Sequence, residues 1–125
     1  MVNRLHLIGN LGKDPEVHFT AEGRAKARFP LATSEHWKDK NGQAQEHTEW
    51  HNVVVWGKQA ETCGQFLAKG RQVYIEGKVR SRQYEKDGTT RYITEVIADR
   101  VQFLGTPSGG SSPDRTGGDD TDIPF

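Results

Sequence analysis

From Arg24 to Leu31 the chain alternates apolar side chains with cations: Ala25, Ala27, Phe29 and Leu31 are interleaved with Arg24, Lys26 and Arg28. A period of two is the geometry of a strand with one buried face, and helical spacing fails the same residues. Much of the chain up to residue 104 repeats the pattern. Thr48 to Trp56 holds Val53, Val54 and Val55 plus two tryptophans, a β-branched and aromatic mixture that suits a pleated surface. Val73, Ile75 and Val79 alternate with Tyr74, Glu76 and Lys78. That strand is expected to continue to Tyr84 before Asp87-Gly88 turns the chain into a last strand, Thr89 to Val101. Between these runs the period changes, because Ala60, Cys63 and Leu67 stand at i, i+3 and i+7. One short helix is expected there, with Gly70 as its left-handed C′ residue and Lys69 meeting the terminal carbonyls.

Five or so strands with one helix after the third predict an all-β fold, a five-stranded Greek-key barrel of the oligonucleotide-binding (OB) type. A sandwich would carry no helix at that point. Of 41 apolar residues, 39 lie in residues 1–104, so the core belongs to that segment. Residues 105–118 read as a flexible Gly/Ser/Pro linker, too polar to offset the entropy of ordering. Residues 119–125 form an acidic tip. The net charge of zero conceals a division, since residues 1–104 carry +3 and residues 105–125 carry −3.

No stretch approaches the roughly 20 apolar residues that span a bilayer, and Asn3, Arg4, His6, Gly9 and Asn10 interrupt the N-terminus where a signal peptide would be apolar. A soluble, cytoplasmic protein with no membrane partner is expected. A single cysteine, Cys63, excludes an intramolecular disulfide and any CxxC motif. The string His47-Thr48-Glu49-Trp50-His51 has histidines at i and i+4, but its glutamate is misplaced for HExxH. In a strand those imidazoles stand roughly 13 Å apart, too far to share a metal. Gly57-Lys58 lacks the earlier glycine and the following Ser or Thr of a phosphate-binding loop. Gly9 and Gly12 read as marks of a bulge or of close packing, and Cys63 as a small core residue. No enzyme, cofactor or metal site is required by the pattern.

What remains is a pairing of aromatic and basic side chains. Trp50 and Trp56, six apart on one strand, share a face. Lys78, Arg80, Arg82 and Tyr84 share parity on another strand, and Trp37 lies beside Lys38 and Lys40. A barrel this small, with Val, Ile, Leu and Ala already supplying its interior, should leave several of these rings outside. Exposed rings beside cations suit unpaired nucleic acid: bases stack on the rings while Lys and Arg follow the phosphates. The tip, Asp119-Asp120-Thr121-Asp122-Ile123-Pro124-Phe125, sets two bulky apolar groups behind acids. This composition fits a docking peptide that lodges Phe125 in an apolar pocket with a basic rim. Two other readings compete: an adaptor whose barrel only supports the tip, and a hydrolase built on His47 or His51.

Five segments in order, Gly9 to Glu16 (GNLGKDPE), Leu31 to Glu35 (LATSE), Thr48 to His51 (TEWH), Lys69-Gly70 with Val73 to Gly77 (VYIEG), and Asp122 to Phe125 (DIPF), resemble the bacterial single-stranded DNA-binding proteins. The resemblance implies a homotetramer that coats single-stranded DNA in replication, recombination and repair, cytoplasmic and associated with the nucleoid. It implies base stacking by Trp37, Trp50, Trp56 and Tyr84, DNA contacts by Arg4, Lys58, Lys69, Arg80 and Arg82, and a subunit interface at His51. It also implies that Asp120, Thr121, Asp122, Ile123, Pro124 and Phe125 recruit replication and repair proteins. Trp56 and Tyr84 replace the Phe and Trp of some relatives, Thr121 breaks an acidic run, and the tether is short for the family.

Overall fold

The computed structural model describes residues 1–105; most of the linker and all of the acidic tip lie outside the described residues. Six strands and one helix follow in the order β1 (Leu5–Leu11), β2 (Glu16–Phe19), β3 (Ala25–Lys38), β4 (Ala44–Trp56), α1 (Lys58–Phe66), β5 (Gln72–Lys86) and β6 (Thr89–Leu104). The sheet runs β1-β5-β6-β4-β3-β2, and a further β1–β3 pairing closes it. The five-stranded barrel read from the sequence is therefore present, with β2 as a short addition to the edge of β3.

Closure rests on two brief contacts. Asn10 and Leu11 of β1 pair with Ala32 and Leu31 of β3, and β4 runs parallel to β6 at Val53–Val96 and Val54–Ile97. Around this ring the alternating residues point inward as expected. Ala25, Ala27, Phe29, Leu31, Val53, Val55, Val73 and Ile75 are buried. Each fully buried Val, Leu, Ile or Phe side chain among them is worth about 1.5–3 kcal/mol. Along β6 the apolar parity shifts from Val96 and Ala98 to Val101 and Phe103. A bulge between Glu76 and Gly77 pairs them with Arg100 and Ala98, leaving Asp99 as the extra residue. Gly77 tolerates this because a methyl there would overlap the Ile97 carbonyl.

Two hairpins extend beyond the barrel. Among the described residues Ser34–Lys38 pairs with Ala44–Thr48 and no other strand, and its turn is held by Asp39, whose Oδ1 accepts from the Asn41 and Gln43 amides. Arg80–Lys86 pairs with Thr89–Glu95, joined by Asp87 (φ 53°) and Gly88 (φ 75°). Two consecutive positive φ values mark the tight hairpin turn that Asp-Gly favours.

The helix differs from expectation at its end. Ala60 and Cys63 are buried on its inner side, but α1 stops at Phe66, and Leu67 is an extended, buried cap whose amide donates to the Cys63 carbonyl. Gly70 (φ 91°) is not the C′ residue. It sits in a turn in which the Arg71 amide donates to the Ala68 carbonyl and the Gly70 amide to Leu11. Lys69 accordingly lies beyond the last helical turn, and its own amide is held by Asp14 Oδ1 at 2.8 Å. Leu67 thus fills the core position expected of the helix face, but from extended backbone after the last helical turn. The Cys63 thiol is pushed up to about 11 by burial, in keeping with a packing role. No helix among the described residues is long and apolar enough to cross a membrane.

Candidate nucleic-acid interface

The outward face of β3 and β4 is built by the same alternation that fills the core. Lys26 stands opposite Trp56, Arg28 opposite Val54, Pro30 opposite Asn52 and Ala32 opposite Trp50, so both tryptophans do share a face. Their surroundings differ. Trp50 is 57 % exposed, and its ring lies over Gly12, where an added Cβ would come within 2.5 Å of Cζ3. Trp56 is half-buried, with the Arg24 guanidinium 4.7 Å and the Lys26 ammonium 5.3 Å from its ring centroid. Such contacts are cation–π attractions, and they leave two positive charges anchored beside an aromatic plate.

Between Trp50 and Arg28 the surface is hollowed into a groove of about 460 Å³, lined also by Gly12, Lys13, Asp14, Glu16 and Asn52. An aromatic wall, a glycine floor and a cation at the far side can receive a planar ring with an attached phosphate. Gly12→Ala is expected to tilt the Trp50 ring from its seat. Because the displaced atoms belong to an exposed side chain and not to backbone, melting temperature should change little while ligand binding to the groove weakens severalfold; equal binding by this variant would show that the seat is unimportant.

The remaining candidates lie on three further sites. Trp37, 48 % exposed, is on the β3–β4 extension, opposite Gln45 and on the other parity from Trp50. Tyr84, 39 % exposed, is on the β5–β6 extension with Arg80 and Arg82, all three on one parity. Arg4 is bound to Asp99 at 2.8 Å and to Glu76 at 3.5 Å. Lys58 is exposed at the start of α1, beside Gln59, whose side chain is tied to Asp99 and Val101 of β6. Lys69 is exposed and meets the groove indirectly, through Asp14. Trp50 and Trp56 share the outward face of β3 and β4, which Arg28 links through Glu95 to Arg82 of β5, whereas Arg4 is held at Asp99.

His51 is on the opposite parity from Trp50, half-buried, with Nε2 3.0 Å from Thr33 Oγ1. His47 lies two residues from Glu49 on that same side, 3.0 Å from its carboxylate; this hydrogen bond, followed by the imidazole charge, holds Glu49 below the usual carboxylate range.

Sequence reasoning missed four members of the wall. Arg24, Lys26 and Arg28 could have been found, since their alternation with Ala25, Ala27 and Phe29 assigns all three to the outward face. Glu95 could not. It reads as one more strand acid, yet it is 3 % exposed and receives Arg82 Nε at 3.1 Å and the second Arg82 nitrogen at 3.3 Å.

Residues 2–104 match the model of the single-strand binding protein family. The chain belongs to that family. A similar relative is Single-stranded DNA-binding protein 1 of Chlorobaculum tepidum, 49 % identical over 116 residues that cover 90 % of this chain and 72 % of the relative. Among solved structures, the Plasmodium falciparum SSB in complex with ssDNA superposes with a TM-score of 0.77 at 31 % identity, covering 84 % of this chain and 96 % of that one. A deletion mutant of the single-stranded DNA-binding protein from Thermus aquaticus gives 0.74 at 35 % identity. The similarity covers 83 % of this chain and about half (51 %) of the Thermus chain. The family match at residues 2–104 spans the barrel that carries the aromatic and basic wall.

Proposed function

We propose that this protein binds single-stranded DNA without marked sequence preference and without turnover. The observation that carries the reading is the placement of Trp37, Trp50 and Tyr84 open to solvent in a fold whose aliphatic core is already complete. Bases stack on these rings at about 1–3 kcal/mol each, and the cations of the same surface neutralise phosphates. Trp56 joins the stack through its uncovered side or as Arg24 and Lys26 swing to the backbone. Arg80 and Arg82 supply charge beside Tyr84, while Arg4, Lys58 and Lys69 extend the basic path. Titration with oligothymidine at low salt should quench tryptophan fluorescence; an unchanged signal would end this reading.

In the same proposal the chain assembles as a homotetramer, coats and protects DNA in replication, recombination and repair, and resides in the cytoplasm at the nucleoid. Support for self-association comes from β1, which pairs with β5 from Leu5 to Asn10 but with β3 only at Asn10 and Leu11, so most of its other edge has no strand partner among the described residues. Ile8 on that strand is 41 % exposed, and His51 with Thr33 offers a half-buried polar contact for a second subunit. Mass measurement of the protein with and without oligonucleotide tests subunit count and occupancy together.

The acidic tip from Asp120 to Phe125 is assigned to recruitment of replication and repair proteins. Its charge has a second effect, since residues 105–125 carry −3 against +3 on the barrel segment. Removal of 105–125 should tighten DNA binding severalfold at low salt, an advantage that disappears towards 1 M salt, where the screening length falls to about 3 Å. Equal affinities at low salt would refute the competition.

A further inference from the structure

A carboxylate in the middle of a surface that takes a polyanion should weaken binding, and Glu95 lies there almost fully enclosed. It is 3 % exposed, directly opposite Arg80 in the β5–β6 register, with Arg82 on one side and an Arg28 nitrogen 3.9 Å away on the other. The two guanidiniums come from strands that never pair with one another, β3 and β5, and Glu95 on β6 reaches both. Without it, two like charges would face each other across the barrel wall. Both arginines remain about two-fifths exposed, so their outer edges stay available to solvent.

The geometry points to Glu95 as a positioning residue: its carboxylate clamps the Arg82 guanidinium through Nε–H and one terminal N–H, and steadies Arg28, so that their free edges meet the DNA backbone in a fixed orientation. This inference rests on the single-stranded DNA reading above. Arginine has five N–H donors; the clamp occupies two and leaves three that Glu95 does not engage. A planar guanidinium held in this way loses less freedom on meeting a phosphate than one on a mobile side chain. The hydrogen bond to Glu95 and then its charge also raise the Arg82 guanidinium above its usual value.

The prediction is distinctive in sign. If Glu95 only repelled phosphates, Glu95→Gln would remove a negative charge and bind oligothymidine more tightly. As a clamp, its loss should weaken binding about tenfold at fixed salt, the scale of one charge-assisted hydrogen bond. Arg82→Ala should cost about as much in the parent protein but less than about threefold in the Glu95→Gln background, because the two act as one unit. Equal or tighter binding by Glu95→Gln, or additive effects of the two changes, would overturn the clamp. A readout that needs no variant is the Arg82 Nε–H nuclear resonance of the free protein, expected to be resolved and protected from solvent exchange; rapid exchange would overturn it as well. Absence of any fluorescence quench in the parent protein removes both this inference and the DNA reading, whereas intact parent binding with an unweakened Glu95→Gln variant removes the clamp alone.

Discussion

Trp50→Ala is expected to weaken oligothymidine binding by about fivefold to a hundredfold, with melting temperature nearly unchanged. The range follows from about 1–3 kcal/mol per stacked base, with tenfold for each 1.4 kcal/mol. Stability should survive because the ring is 57 % exposed and lies outside the cluster that forms the core. Trp50→Phe should recover most of the affinity, since a smaller π-face still stacks. Trp56→Ala provides the internal comparison. That ring is half-buried beneath Arg24 and Lys26, so its loss frees two cations as well as removing a plate, and the net effect on affinity should be smaller. Titrations by fluorescence anisotropy of labelled oligothymidine, which do not depend on the tryptophans as reporters, measure all three. Affinity of Trp50→Ala equal to that of the parent across salt concentrations would contradict stacking at this site.

Gly9→Ala is expected to produce the opposite separation, a large loss of stability from a change of one methyl group. A Cβ at Gly9 would overlap the Ala32 carbonyl oxygen and crowd the Leu31 side chain. Ala32 and Leu31 are also the β3 residues that pair with β1 to close the barrel. The obstruction is backbone, which cannot rotate away, so β1 must withdraw from β3. A cost of about 2–3 kcal/mol is the usual scale for overpacking, and for a domain of this size it lowers the melting temperature by roughly 10–20 °C. Circular dichroism melts at matched protein concentration measure it. A shift within a few degrees would mean that closure at Asn10 and Leu11 contributes little. Set beside Gly12→Ala, the variant separates two glycines three residues apart: one makes room for a strand, the other for an indole ring.

Those two glycines also illustrate what could be read in advance. The GxxG spacing suggests close packing, yet nothing in the string distinguishes a neighbour on β3 from a ring on β4. The strands themselves were legible because a half-buried sheet face imposes its period directly on the sequence. The long β5–β6 hairpin was legible because Asp87 and Gly88 suit the positive φ values its turn requires. The end of α1 was not, since Gly70 and Lys69 suit a helix terminus locally while Leu67 is buried from extended backbone after the last helical turn.

The alternation of residues determined that β3 and β4 would fill a core on one side and present Lys26, Arg28, Trp50 and Trp56 on the other, because side-chain direction along a strand is fixed by covalent geometry. Composition likewise confined the core to residues 1–104. Only the tertiary structure decided which of those outward groups stand together. The meeting of Arg28 from β3 with Glu95 from β6, and through it with Arg82 from β5, depends on how a curved sheet closes. These are long-range pairings, and no local pattern of side chains encodes the neighbour across the barrel.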